Sequence, residues 1–158
     1  MTVLCKAFES LGFVRVATFL GSGNIVFETR AKNIGALERK IERALQQVIG
    51  YTVPVFIRTQ AELKEIASLE PFKDSKTRGA DLNIILLASN LDARSKAKLL
   101  ALKTKTDGFR VRGREIYWWR CKKPGTSLYT SVPLEKILRV RFTIRGANTI
   151  RKLVAKWP

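Results

Sequence analysis

The sequence predicts an α+β protein built from two ferredoxin-like halves with antiparallel sheets, the first half lacking its opening strand. Three observations lead there. Helical and strand-like periodicities follow one another as α-β-β-α-β, then an extra helix, then β-α-β-β-α and a tail, so the β-α-β-β-α-β pattern is present almost twice. A stretch rich in small and charged residues, Phe72 to Ala80, separates the two runs. The chain has 158 residues, of which 46% are hydrophobic and 27% charged, enough for one ordinary domain or two small halves. The expected organisation is residues 1–71 as the first half with a connecting helix, 72–80 as the linker, and 81–158 as the second half.

Each element has a local reason. Leu4, Ala7, Phe8 and Leu11 lie on one helical face, and Gly12 stands where a C-terminal cap belongs. Val14 to Leu20 and Ile25 to Phe27 are β-prone runs joined by the breaker cluster Gly21-Ser22-Gly23-Asn24. Leu37, Ile41, Ala44, Leu45 and Val48 mark a long amphipathic helix, capped by Asn33 and ended by Gly50. Val53 to Ile57 reads as a short strand beginning near Pro54. Thr59 and Glu62 have capping-box spacing for the helix carrying Leu63, Ile66 and Ala67.

Beyond the linker, Leu82 to Ala88 is a continuous apolar strand. Ser89 and Asp92 offer capping groups for a helix reaching Lys103. Phe109 to Arg112 and Glu115 to Cys121 form a hairpin about Gly113-Arg114. Ser131 and Pro133 open a short helix around Leu134, Ile137 and Leu138. Arg141 to Ile144 is extended, and Asn148 is the expected cap of a last helix burying Ile150, Leu153 and Val154.

Composition narrows the function. The chain holds no histidine, which excludes imidazole bases, Ser-His-Asp and Cys-His nucleophiles and histidine zinc sites. Cys5 and Cys121 are its two cysteines, too few for a disulfide framework or a structural zinc. No apolar run approaches membrane-span length, and no secretory signal is visible, so a cytoplasmic location is expected. Catalysis is the lesser expectation, and no cofactor or metal is expected.

Charge is the strongest positive signal. Lys and Arg number 30 against 13 Asp and Glu, a formal +17. Residues 1–80 hold 12 basic and 8 acidic residues, while residues 81–158 hold 18 and 5, so the excess is concentrated in the second half. Such a field attracts nucleic acid or another polyanion. The expected contacts are Arg110, Arg112, Arg114, Trp119, Arg120, Lys122 and Lys123 on the hairpin, with Arg139, Arg141, Arg151 and Lys152 near the end. Trp119 stands among them as a base-stacking ring, a role that competes with core packing.

The residues also carry a resemblance. Thr18-Phe19-Leu20-Gly21-Ser22-Gly23-Asn24-Ile25-Val26-Phe27 matches a Thr-Tyr-x-Gln-Ser-Gly-Asn-Val-Val-Phe segment, with Gly21 in place of Gln. Val53-Pro54-Val55 with Arg58, the run Val111 to Trp119, and Thr143 to Thr149 match further segments. Together they make the chain resemble the bacterial domain of unknown function 1697 family. The family's opening strand, ending in Arg-Gly-Ile-Asn-Val-Gly-Gly, has no counterpart, because Met1 aligns with the helix after it. Gly146 stands where the family has Asn. Either the start of the protein lies upstream of Met1 or the strand's place in the first sheet is filled by something else; an unpaired strand there makes homo-oligomerisation an expectation.

Three function classes therefore stand. The first is a non-catalytic polyanion or nucleic-acid binder using the basic second half. The second is an enzyme or small-molecule binder with a site near Ser22, Gly23, Asn24, Arg145, Asn148 and Thr149, where an anion nest is weighed against a plain hairpin turn. The third is a self-associating structural domain.

Overall fold

The computed structural model describes residues 2–21, 23–72, 80–121 and 134–158. It divides into two units, Met1–Ile57 and Arg58–Pro158. In the first, helix α1 (Val3–Ser10) is capped by the Thr2 hydroxyl, which accepts from the Cys5 N–H, and Gly12 leaves the helix with φ 83°. Strands β1 (Val14–Phe19) and β2 (Asn24–Glu28) form a two-stranded antiparallel sheet. Leu20, Gly21 and Gly23 all have positive φ in the connecting loop, and the Asn24 side chain donates to the Phe19 carbonyl across its base. Strands β1 and β2 thus pair as a hairpin, with Phe19 opposite Asn24.

Helix α2 (Ile34–Ile49) starts at Asn33, whose side chain accepts from Ala36 N–H, and stops at Gly50 in the left-handed conformation. Leu37, Ile41 and Leu45, spaced by four, bury one face of it. They pack with Ala7, Phe8 and Phe13, and Ile25 and Phe27 of β2 lie against the same cluster. The rings of Phe8, Phe13 and Phe27 meet at centroid separations of 4.6 to 5.9 Å.

Residues 53–57, expected as a strand, pair with no strand among the described residues. Their amides go to a helix instead. Val55 N–H donates to Glu42 at 3.0 Å and Ile57 N–H donates to Glu38 at 2.8 Å. The spacings match, because two extended residues advance about 6.7 Å and one i, i+4 step on a helix advances about 6 Å. Glu38 is consequently buried at 7% exposure, a carboxylate satisfied by a backbone donor. Sequence periodicity registers Val55 and Ile57 as alternating apolar residues but says nothing about which acceptor their amides find.

The second unit opens with Arg58 and helix α3 (Gln60–Ser68), whose Thr59–Glu62 capping box is fully formed. This helix, attached to the first half in the sequence reading, packs its Ile66 face with the second unit's sheet. Apolar complementarity decides its place. Residues 73–79 of the expected linker lie outside the described residues.

The second sheet runs in the order β4 (Asp107–Arg112), β5 (Glu115–Arg120), β3 (Asp81–Leu87), β6 (Phe142–Gly146), with all neighbours antiparallel. Strands β3 and β4 are therefore parallel with β5 between them. Both faces are covered. Helices α4 (Ala93–Leu100) and α5 (Leu134–Leu138) lie over Ile85, Leu87, Phe109, Ile116 and Trp118. Helices α3 and α6 (Ala147–Lys156) lie over Ile84, Leu86 and Tyr117. Alternation along each strand produces the two cores.

Among the described residues, the expected helix caps are formed except at Asn148. Asp92 caps α4 by accepting from Ser95 N–H at 2.6 Å. The helix ends at Leu100, short of Lys103, and Ser131 and Pro133 lie outside the described residues. Asn148 does not cap α6. Gly146 holds that position without a side-chain bond, since the helix begins as soon as β6 ends, and Asn148 Oδ1 instead accepts from Arg151 at 3.2 Å.

Candidate polyanion-binding surface

The β4–β5 hairpin supplied most of the expected contacts, and the fold gives it other work. Cross-strand pairing sets Gly108 against Trp119, and the indole lies across the glycine so closely that a Cβ there would fall inside the ring's envelope. Trp119 is only 9% exposed and meets Phe72 edge-on at 6.1 Å. A base stacked on this ring would have to displace that packing, so Trp119 is a core residue and not a stacking platform. Trp118, on the other face, is 1% exposed and donates from Nε1 to buried Asp107 at 2.9 Å. Arg120 lies over the Trp118 ring at 5.6 Å.

Two of the hairpin arginines are paired with acids. Arg112 pairs with Glu65 at 2.6 Å and Arg114 with Glu62 at 2.8 Å, both acids belonging to α3. Arg58, with a side chain 2% exposed, donates from Nε to Glu115 at 2.6 Å and from Nη2 to the carbonyls of Leu87 at 2.8 Å and Arg114 at 3.1 Å. One guanidinium thus ties the end of β3 to the turn of the hairpin. Arg110 remains exposed, its guanidinium 6.0 Å from the Phe72 ring.

Between the hairpin turn and α3 is a cleft of about 360 Å³ lined by these acids and arginines together with Tyr117. Burial, with the Glu115 charge beside it, pushes the Tyr117 phenol up to about 12. Burial also raises the Glu62 carboxyl, but the Thr59 N–H and the Arg114 guanidinium outweigh it and leave the group below its ordinary value. A carboxylate held ionised and already paired is a structural latch.

The α4/α5 side of the same sheet is electrostatically different. Ser95 and Leu99 point inward from α4, which turns Arg94, Lys96 and Lys98 out to solvent. Lys103 and Lys105 after the helix, and Lys136, Arg139 and Arg141 from α5 and the approach to β6, are exposed as well. Glu135 and the capping Asp92 are the acids of these segments. Asp92 is held below the usual carboxylate range, chiefly by the Ser95 N–H. Of the expected contacts, Arg139 and Arg141 belong to this side, and Arg151 and Lys152 are exposed on α6 across the sheet. Lys122 and Lys123 lie outside the described residues. Arg94, Lys96, Lys98, Lys103 and Lys105 were missed in the sequence reading, although Ser95 and Leu99 at i, i+4 fix the helix's inward face and hence its outward cations.

The residues of the alternative small-molecule site divide between the units. Gly23 and Asn24 belong to the first unit, and Arg145, Asn148 and Thr149 to the second, while Ser22 lies outside the described residues. Arg145 Nη1 donates to Thr143 Oγ1 at 3.1 Å and to the Ile144 carbonyl at 2.9 Å. Among the described residues, no three Cys, Asp or Glu side chains converge on a metal-sized site, and no helix is long and apolar enough to cross a membrane.

Comparison with known proteins matches the form of the chain more closely than its function. The conserved bacterial protein SP0830 of Streptococcus pneumoniae has a similar structure, with a TM-score of 0.71 and 16% identity over 97% of this chain and 86% of that one. No curated protein matches the chain. Residues 1–117 match the family described as "Protein of unknown function (DUF1697)", so the match ends at Tyr117, before the Trp118-Trp119 and Thr143 to Thr149 similarities. The chain belongs to the DUF1697 family of proteins of unknown function.

Proposed function

We propose that the protein is a non-catalytic binder of polyanions, nucleic acid foremost, and that it binds through the α4/α5 side of the second unit. One observation carries the reading. Eight exposed cations, Arg94, Lys96, Lys98, Lys103, Lys105, Lys136, Arg139 and Arg141, come from segments whose acids are Glu135 and Asp92. The α3 side of the sheet, by contrast, spends its acids Glu62 and Glu65 on the hairpin arginines. A one-signed surface attracts a phosphate backbone and releases its counterions on contact. The large aromatics of β4 and β5, Phe109, Tyr117, Trp118 and Trp119, are buried, so this surface holds phosphates without reading bases.

Titration of a duplex oligonucleotide at several salt concentrations tests it. Affinity is expected to fall steeply with salt, and the variant Lys96→Ala/Lys98→Ala to flatten the log–log slope by about 1.8 if both lysines meet phosphates. Trp119→Phe should leave the slope unchanged. Negligible affinity at low salt, or a slope that responds to Arg112 and Arg114 but not to the α4 lysines, would refute the proposal.

A further inference from the structure

Tyr117 is 1% exposed, and its ring is packed among Ile66, Ile84, Leu86 and Ile150. Its hydroxyl has no hydrogen-bond partner among the described residues, and the residue lines the cleft between the hairpin turn and α3. Besides burial, the charges that act on the phenol are those of Glu115, Arg112 and Glu65, all from the same lining, so the O–H lies at the floor of the cleft and not in the apolar core. A hydroxyl withdrawn from bulk water without a partner is unfavourable, and buried polar groups are nearly always paired. Exposed Asn90, between β3 and α4, lines the cleft as well, and its amide has no partner among the described residues.

The charges around these groups cancel. Glu62, Glu65 and Glu115 are bonded to Arg114, Arg112 and Arg58. An ammonium or a carboxylate entering the cleft would have to displace one of those partners. A neutral hydroxyl would not, because Oε2 of Glu65 and of Glu115 can each still accept, and the guanidiniums of Arg112 and Arg114 keep N–H groups to donate. We infer that the cleft binds a small neutral polyhydroxylated molecule, a monosaccharide or cyclic polyol, with the Tyr117 hydroxyl, the Asn90 amide, Glu65 and Arg112 as its hydrogen-bonding groups. Each ligand hydroxyl donates and accepts at once, and a lining of paired acids and arginines offers both complements side by side. The volume of about 360 Å³ lies near the lower end of the range for small-molecule sites, about 300–1,000 Å³, and suits a single ring. The site is on the α3 side of the second sheet and is independent of the cationic surface proposed above.

Titration of the isotope-labelled full chain with glucose, ribose and myo-inositol, followed by nuclear magnetic resonance, tests the inference. At least one of them should shift the Asn90 side-chain amide and the Gly113 N–H with a millimolar dissociation constant. The affinity should not change with salt, because the ligand is uncharged, in contrast to polyanion binding. Tyr117→Phe should weaken it about three- to tenfold without lowering the melting temperature, since the lost hydroxyl had no partner in the chain. Asn90→Ala, at an exposed position, covers the case in which Tyr117→Phe does not fold, and should weaken binding by a similar factor. The inference is overturned by no shift at these groups with any of the three up to about 100 mM, or by an affinity unchanged by either substitution. Tighter binding of glycine or inorganic phosphate in the same cleft, or a melting temperature lowered by Tyr117→Phe, would overturn it equally.

Discussion

The β4–β5 hairpin and helix α4 both present arginine or lysine from the second unit, yet they put the charge to different uses. On the hairpin, Arg112 and Arg114 meet Glu65 and Glu62, and Arg58 reaches Glu115 and two carbonyls. On α4, Arg94, Lys96 and Lys98 face solvent beside the capping Asp92. Formal charge therefore does not measure binding capacity. What counts is whether an acid from another element has already taken the cation, since a neutralised pair adds little to the distant field.

The sharpest way to break this contrast is at Arg58. Arg58→Met should cost about 3–5 kcal/mol, because it leaves the Glu115 carboxylate and the Leu87 carbonyl without the guanidinium that binds them, while the Arg114 carbonyl keeps the Leu87 N–H. Denaturant unfolding would measure it, and a loss under about 1 kcal/mol would mean that the clamp is dispensable. Lys96→Ala should stay within about 0.5 kcal/mol in the same assay, as expected for an exposed side chain.

Next in size is Gly108→Ala. The added methyl group enters the space of the Trp119 indole, and overpacking of this kind costs about 1–3 kcal/mol. Loss of protection from indole fluorescence quenching by acrylamide would accompany it if Trp119 moves outward. Wild-type emission already accessible to the quencher at both Trp118 and Trp119 would contradict the buried hairpin.

The smallest effect concerns acid. Glu62 is held below its ordinary 4.5 in the folded protein, so it contributes stability above that value and loses it as the pH falls through the lower folded value. The melting temperature should decline as pH drops below about 4.5, and less steeply in Glu62→Gln. Identical profiles in the two proteins would show that the Arg114 and Thr59 contacts are not maintained in solution.

How much was legible in advance follows from the range of each interaction. Asn33, Gly50, Thr59 with Glu62, and Asp92 act within four residues, and all four signals mark real helix ends. Asn148 shows where that logic stops, because β6 runs into α6 with no room for a separate cap. Val53 to Ile57 has strand-like alternation, and its partner turned out to be a row of helix carboxylates. Trp119 was open to either a stacking or a packing role until Gly108 was set against it across the hairpin.

The amino-acid order by itself determined the helix caps, the turns, the alternation that gives the second sheet two apolar faces, and the excess of cations in the later half. These depend on neighbours a few residues apart, or on composition alone. Tertiary structure alone decided which cations are spent. The acids that neutralise Arg112 and Arg114 lie 47 and 52 residues away on α3, and Arg58 stands 57 residues from Glu115. No local pattern encodes a pairing between groups that meet only after a helix has docked on a sheet.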